Sequence, residues 1–100
     1  MKTIMVQYRT TAAQATANED LVRAVFDELS NQRPGGIRYA SYRLADGLTF
    51  LHVATIDTPD ANPLIALLSF TNFQKDLRAR CVEPPVVTEL SPIGSYESRP

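Results

Sequence analysis

The stretch IRYASYRLADGLTFLHVATI, residues 37–56, decides the fold. It holds two strand-like runs, Ile37 to Ala45 and Leu48 to Ile56, joined by Asp46-Gly47, a pair that favours a tight two-residue hairpin turn. A turn at that pair fixes the register. Ile37 then faces Ile56, Tyr39 faces Ala54, Ser41 faces His52 and Arg43 faces Phe50, while Leu44 with Thr49, Tyr42 with Leu51 and Ala40 with Val53 form the other face. Neither face is cleanly polar. An antiparallel sheet with helices on one side normally leaves its other side wet and alternating, so something has to cover the second face of this one.

Working outward, Thr3 to Tyr8 reads as a first strand, with Ile4, Val6 and Tyr8 on one face and Met5 and Gln7 on the other. The segment Thr16-Ala-Asn-Glu19 has the spacing of a capping box and predicts a helix start. Leu21, Val25 and Leu29, flanked by Val22 and Phe26, form the apolar stripe of that helix, with Arg23, Asp27 and Glu28 towards water. Pro34 with Gly35 and Gly36 ends it. Beyond the hairpin, Asn62-Pro63 offers a cap and a first helical residue for a short helix through Leu68. Ser69 can cap a second segment in which Phe70, Phe73, Leu77 and Cys81 share a face, until Glu83-Pro84-Pro85 ends it. Val86, Val87, Leu90 and Ile93 lie in a last extended segment, where Pro92 favours an edge or a bulge.

This order predicts an α+β fold, the ferredoxin-like split β-α-β arrangement of two helices on one face of a four-stranded antiparallel sheet. With 100 residues the chain suits one domain, residues 1–100. Its 44% hydrophobic and 21% charged residues argue against disorder. So small a chain cannot easily leave a semi-apolar sheet face bare, which predicts a homodimer through that face. Ten basic against eleven acidic residues, scattered to a net charge of -1, leave no field to attract a phosphate backbone and argue against nucleic acid as a partner. One cysteine excludes an internal disulfide and fits a reducing cytoplasm. No apolar run reads as a signal peptide or a membrane span.

The residues Asn72-Phe73-Gln74, then Glu83-Pro84-Pro85, Val87, Leu90, Pro92, Gly94 and Tyr96, resemble the carboxy-terminal half of small dimeric α/β-barrel proteins of the antibiotic biosynthesis monooxygenase family. The Thr3-Ile-Met-Val6 strand and the helix beginning after Asn18 fit the same layout, so the resemblance covers nearly the whole chain. It implies two ferredoxin-like protomers packed sheet against sheet, with a substrate cavity between each sheet and its own helices. It also implies oxygenation of a small aromatic or enolisable carbonyl compound without a cofactor. The chain departs from the family in having no Trp, and Asn72 stands where family members often have His. The haem-degrading branch needs an imidazole on that helix, so haem is disfavoured.

His52 is the only histidine and so the only side chain that ordinarily titrates near neutral pH. It is the candidate base, set against the alternative of a hydrogen-bonded residue in the dimer contact. Asn72 and Tyr42 complete the candidate catalytic set, as an amide donor to an oxyanion and a phenol that can orient a ligand. Tyr8, Tyr39, Phe73 and Arg38 are the candidate contacts to a small aromatic ligand, although Tyr39 and Tyr42 point to opposite faces and Arg38 shares the face of Tyr42. A lone His without neighbouring carboxylates cannot make a zinc or iron site, and no cofactor is expected. A non-catalytic homodimeric binder is the competing function.

Overall fold

A computed structural model describes residues 1–98. The strands are β1 (Lys2–Thr10), β2 (Ile37–Arg43), β3 (Thr49–Ile56) and β4 (Cys81–Leu90), and the helices are α1 (Ala15–Gln32) and α2 (Leu68–Gln74). The four strands form one antiparallel sheet in the order β2-β3-β1-β4, the order of a ferredoxin-like fold. Tyr8, Phe50, Val22, Val25, Leu64, Leu67 and Phe73 make the core, which places both helices against the face that carries Tyr8 and Phe50.

The hairpin has the predicted register, with Ser41 opposite His52 and Arg43 opposite Phe50. The turn itself differs. Leu44 N–H donates to the Thr49 carbonyl at 2.8 Å, which closes a loop of Ala45 to Leu48 rather than a two-residue turn. Only Gly47 there has positive φ, 74°, whereas the two-residue turn expected for this pair needs two such residues. The Asp46 carboxylate instead accepts from the Leu48 and Thr49 amides at 2.8 Å and from the Thr49 hydroxyl at 2.6 Å. These donors hold it at a pKa of about 2, led by the Thr49 hydroxyl. Two extra loop residues, one from each strand, leave the pairing and its parity unchanged.

Several boundaries depart from the sequence reading, the Ser69 cap among them, since α2 begins at Leu68 and Ser69 lies inside it after a separate 3₁₀ turn (Pro63–Ala66). The capping box does not form, because a 3₁₀ turn (Ala12–Gln14) runs straight into α1 and places Thr16 and Glu19 inside the helix. Glu19 instead holds Arg23 at 3.0 Å and Arg43 at 2.9 Å, tying α1 to the end of the hairpin. The second helix stops at Gln74, since Asp76 takes a left-handed φ of 61° and a 3₁₀ turn (Arg78–Arg80) leads directly into β4. Cys81 is therefore the first residue of a strand, and Pro84-Pro85 lie inside that strand rather than after a helix. β4 tolerates them because it is an edge strand whose register to β1 shifts between Gln7 and Arg9, opposite the residues that lack an N–H.

The second face of the sheet carries Met5, Tyr42, Leu51, Val53 and Val86, and among the described residues no helix covers it. Tyr42 is 56% exposed and Val86 62%. The alternative that put His52 in a contact between sheets does not hold, because His52 stands on the helix-covered face. Among the described residues no helix is long and apolar enough to cross a membrane.

Candidate functional site

Alternation along the strands brings Ile4, Val6 and Tyr8 of β1 to the same face as His52 and Ala54 of β3 and Tyr39 of β2. α2 lies over them. Its Phe70 and Phe73, three residues apart, point down onto the sheet, and Leu64 and Ile65 close one end. The result is a cavity of about 330 Å³ between the sheet and α2, which Val87 rims from the edge strand. Its wall is apolar apart from Tyr8, Tyr39 and His52 at one end and Asn62 and Gln74. Among the described residues no charged side chain lines it. Such a space suits a small, largely apolar ligand with few polar groups.

The polar end belongs to a buried chain of hydrogen bonds that crosses the core. Arg80 Nε–H donates to Asn18 Oδ1 at 3.1 Å, and Asn18 Nδ2 donates to the Tyr8 hydroxyl at 2.9 Å. Tyr8 and His52 Nε2 are joined at 2.8 Å, and His52 Nδ1 meets the hydroxyls of Ser41 at 2.6 Å and Tyr39 at 2.9 Å. Asn18 is fully buried and His52 is 4% exposed. Arg80 reaches Asn18 while its other nitrogens hold the carbonyls of Phe73 at 2.6 Å and Lys75 at 3.0 Å. It thereby closes the carboxy-terminal end of α2 and lies over the Phe73 ring at 5.7 Å. The rings of Tyr8, His52 and Tyr39 stack in sequence, with centroids 5.4 and 5.9 Å apart and planes within 16°. Phe26 of α1 continues the stack onto Tyr39 at 5.1 Å.

Burial sets the charge state. Desolvation lowers the pKa of His52 to about 4, so the ring is neutral near pH 7. Burial also raises the phenols of Tyr8 and Tyr39, against the lowering contributions of Asn18 and Ser41 respectively. A neutral imidazole has one donor nitrogen and one acceptor nitrogen, and both are engaged. Both His52 nitrogens are thus engaged with protein hydroxyls rather than turned to a ligand. The Cys81 thiol, raised first by burial, donates to the Leu77 carbonyl at 3.1 Å and stays out of the chain.

Of the residues singled out from the sequence, Tyr8, Tyr39, His52 and Phe73 meet at this cavity. Tyr42 and Arg38 do not, since both alternate onto the uncovered face, Tyr42 opposite Leu51 and Arg38 opposite Thr55. Asn72 is exposed, turned away from the side of α2 that carries Phe70 and Phe73. Two residues not singled out, Asn18 and Arg80, form the end of the chain away from the cavity. The signal for Asn18 is its spacing: with Val22, Val25 and Leu29 it continues the apolar stripe of α1 by one turn, an amide where the helix faces the core. Glu28, expected towards water, accepts from the Ser69 amide at 2.9 Å and the Ser69 hydroxyl at 2.5 Å and joins α1 to α2. Among the described residues no three His, Cys, Asp or Glu side chains cluster as a metal site would require.

Fold and cavity together define a small α+β ferredoxin-like protein with a ligand-sized space between its sheet and its own helices. No protein-family model matches the sequence, and no curated protein is significantly similar to it. Solved structures do match it. Rv0793 of Mycobacterium tuberculosis superposes with a TM-score of 0.75 at 17% identity, over 96% of this chain and 98% of that one. A crystal structure of an antibiotic biosynthesis monooxygenase gives 0.76 at 14% identity, over 94% and 100%. SnoaB, a cofactor-independent oxygenase from Streptomyces nogalater, gives 0.69 at 16% identity, over 97% of each chain. The chain has the fold of antibiotic biosynthesis monooxygenase-like proteins, the resemblance that its helix and carboxy-terminal strand suggested.

Proposed function

We propose that this chain is a cofactor-independent monooxygenase-like enzyme that acts on a small aromatic or enolisable carbonyl compound. The observation that carries this reading is the cavity under α2, apolar on its walls and polar at the Tyr8, His52 and Tyr39 end. A planar ligand fits between Phe73 and the sheet, with one oxygen against the phenolic end. An activated CH₂ reacting with O₂ gives C=O and one water, so the substrate supplies all four electrons and neither metal nor flavin is required. The protein then contributes orientation, exclusion of bulk water and stabilisation of negative charge on the substrate oxygen. The cofactor-free oxygenase SnoaB, which shares the fold, supports this reading.

The working unit is one domain that pairs as a homodimer through the uncovered sheet face, where Tyr42, Leu51 and Val86 present apolar surface. Its single thiol suits a reducing cytoplasm. A second reading, a non-catalytic binder of small ligands, is favoured by the engagement of both His52 nitrogens. Oxygen uptake separates the two. A panel of anthrones, naphthols and cyclic aromatic ketones should include a compound whose oxygen consumption the wild-type protein accelerates and the Tyr39→Phe variant does not. Binding without oxygen uptake across the panel would leave the binder, and binding of none would remove both readings.

A further inference from the structure

The hydrogen-bond chain has a direction, and its first member sets it. A guanidinium has donors only, so Arg80 can meet Asn18 only at the amide oxygen. That contact turns the Asn18 NH₂ towards Tyr8, whose oxygen accepts from it. The buried Tyr8 O–H must then find an acceptor, and the one within reach is His52 Nε2 at 2.8 Å. Leaving that buried hydroxyl unpaired would be costly. A neutral His52 with an accepting Nε2 carries its proton on Nδ1, facing the oxygens of Ser41 and Tyr39. Neither hydroxyl can donate to a nitrogen that already bears hydrogen, and the Ser41 hydroxyl also hydrogen-bonds to the Tyr39 oxygen. Tyr39 lines the cavity, so its hydrogen is left for a ligand.

The geometry points to Arg80 as a positioning residue that gives the chain Arg80, Asn18, Tyr8, His52, Tyr39 a single polarity, so that its cavity end offers the Tyr39 O–H as a donor. The site therefore takes a ligand by an acceptor oxygen, a carbonyl or an enolate, and the chain does not take a proton from it. Reversing the chain would require Arg80 to give up Asn18. This inference rests on the cavity being a ligand site and narrows the ligand class of that same site.

Because His52 is the only histidine, protein labelled with ¹⁵N-histidine contains one imidazole, and its nitrogen shifts report the tautomer with no ligand present. Wild-type protein should carry the proton on Nδ1. In Asn18→Asp the carboxylate accepts from both Arg80 and Tyr8, which reverses the chain and should move the proton to Nε2. A purely structural role for Asn18 would not move it. If Asn18→Asp does not fold, the wild-type tautomer alone decides: a proton on Nε2 overturns the proposed direction. Titration with 1-tetralone and with tetralin, which lacks the carbonyl, tests the ligand end. Replacing Tyr39 by Phe should lower the ratio of tetralone to tetralin affinity about three- to tenfold, the worth of one neutral hydrogen bond. An unchanged ratio overturns Tyr39 as the outward donor. If neither compound binds, the ligand half falls with the reading of the cavity, a failure that the tautomer measurement tells apart from a wrong direction.

Discussion

Acid should destabilise this fold in a pH range where ordinary surface carboxylates are silent, and His52 should be the cause. Its pKa lies at about 4 in the folded chain against 6.5 for an unperturbed imidazole, because burial penalises the imidazolium. The unfolded chain therefore binds the proton first as pH falls. A group whose folded pKa is depressed contributes its stability above the unfolded value and loses it on the way down to the folded one. Each pH unit inside that window costs about 1.4 kcal/mol, so stability should drop by about 2 kcal/mol between pH 6.5 and 5 and about 3 kcal/mol by pH 4. Asp46, Glu19 and Glu28 are also depressed, each chiefly by side-chain hydrogen bonds, from Thr49, Arg43 and Ser69 respectively. Their losses follow the same sign but begin only near pH 5 and below, which leaves the upper part of the window to His52. Urea unfolding at pH 7, 6.5, 6, 5.5 and 5, at one protein concentration, measures the slope. The His52→Gln variant, weaker throughout, should show a nearly flat profile across the same range. A wild-type stability that stays level or rises from pH 6.5 to 5 would refute the reasoning, since His52 would then be hydrated or paired with a charge.

Two further outcomes follow from the packing. Phe73, 4% exposed and in contact with both Tyr8 and His52, anchors α2 to the sheet. Its replacement by Ala should cost about 3–5 kcal/mol in chemical unfolding, and a loss under 1 kcal/mol would mean that α2 does not pack as described. Val86→Asp puts a charge on the uncovered face at a position 62% exposed in the protomer. Sedimentation should show the wild-type protein as a dimer and the variant shifted towards monomer at micromolar concentration with its circular dichroism unchanged. A wild-type monomer would leave the uncovered face without its proposed partner.

What the sequence made legible follows from period and parity. The hairpin register was readable because a side chain's face depends only on whether its index is odd or even relative to its partner. An error in turn length of one residue on each strand therefore left Ser41 opposite His52. The same parity placed Tyr42 and Arg38 on the face away from His52, so their omission from the cavity was already implicit in the alternation of β2. Segment ends were harder. A Phe70, Phe73, Leu77, Cys81 stripe is consistent with a continuous helix, and Asp76, although an Asp tolerates left-handed backbone, does not by its type alone announce that it breaks it. The prolines of β4 read as terminators because their tolerance depends on β4 being an edge strand, a property of sheet order that only the whole topology supplies.

The site was half legible for a related reason. Aromatic and imidazole side chains attract notice wherever they occur, whereas Asn18 and Arg80 belong to types that usually face water. Their importance comes from a contact across 62 positions of chain, which no local pattern encodes. Yet the helix did carry a trace of it. An amide on the stripe shared by Val22 and Val25 must either break the core or be satisfied within it, because an unpaired buried amide is costly. Asking which donor or acceptor could satisfy Asn18 leads to Tyr8 and Arg80, and from Arg80 to the direction of the whole chain. The residue that leads to the ordering of the site is thus the one whose polarity is least compatible with its place in the periodic pattern.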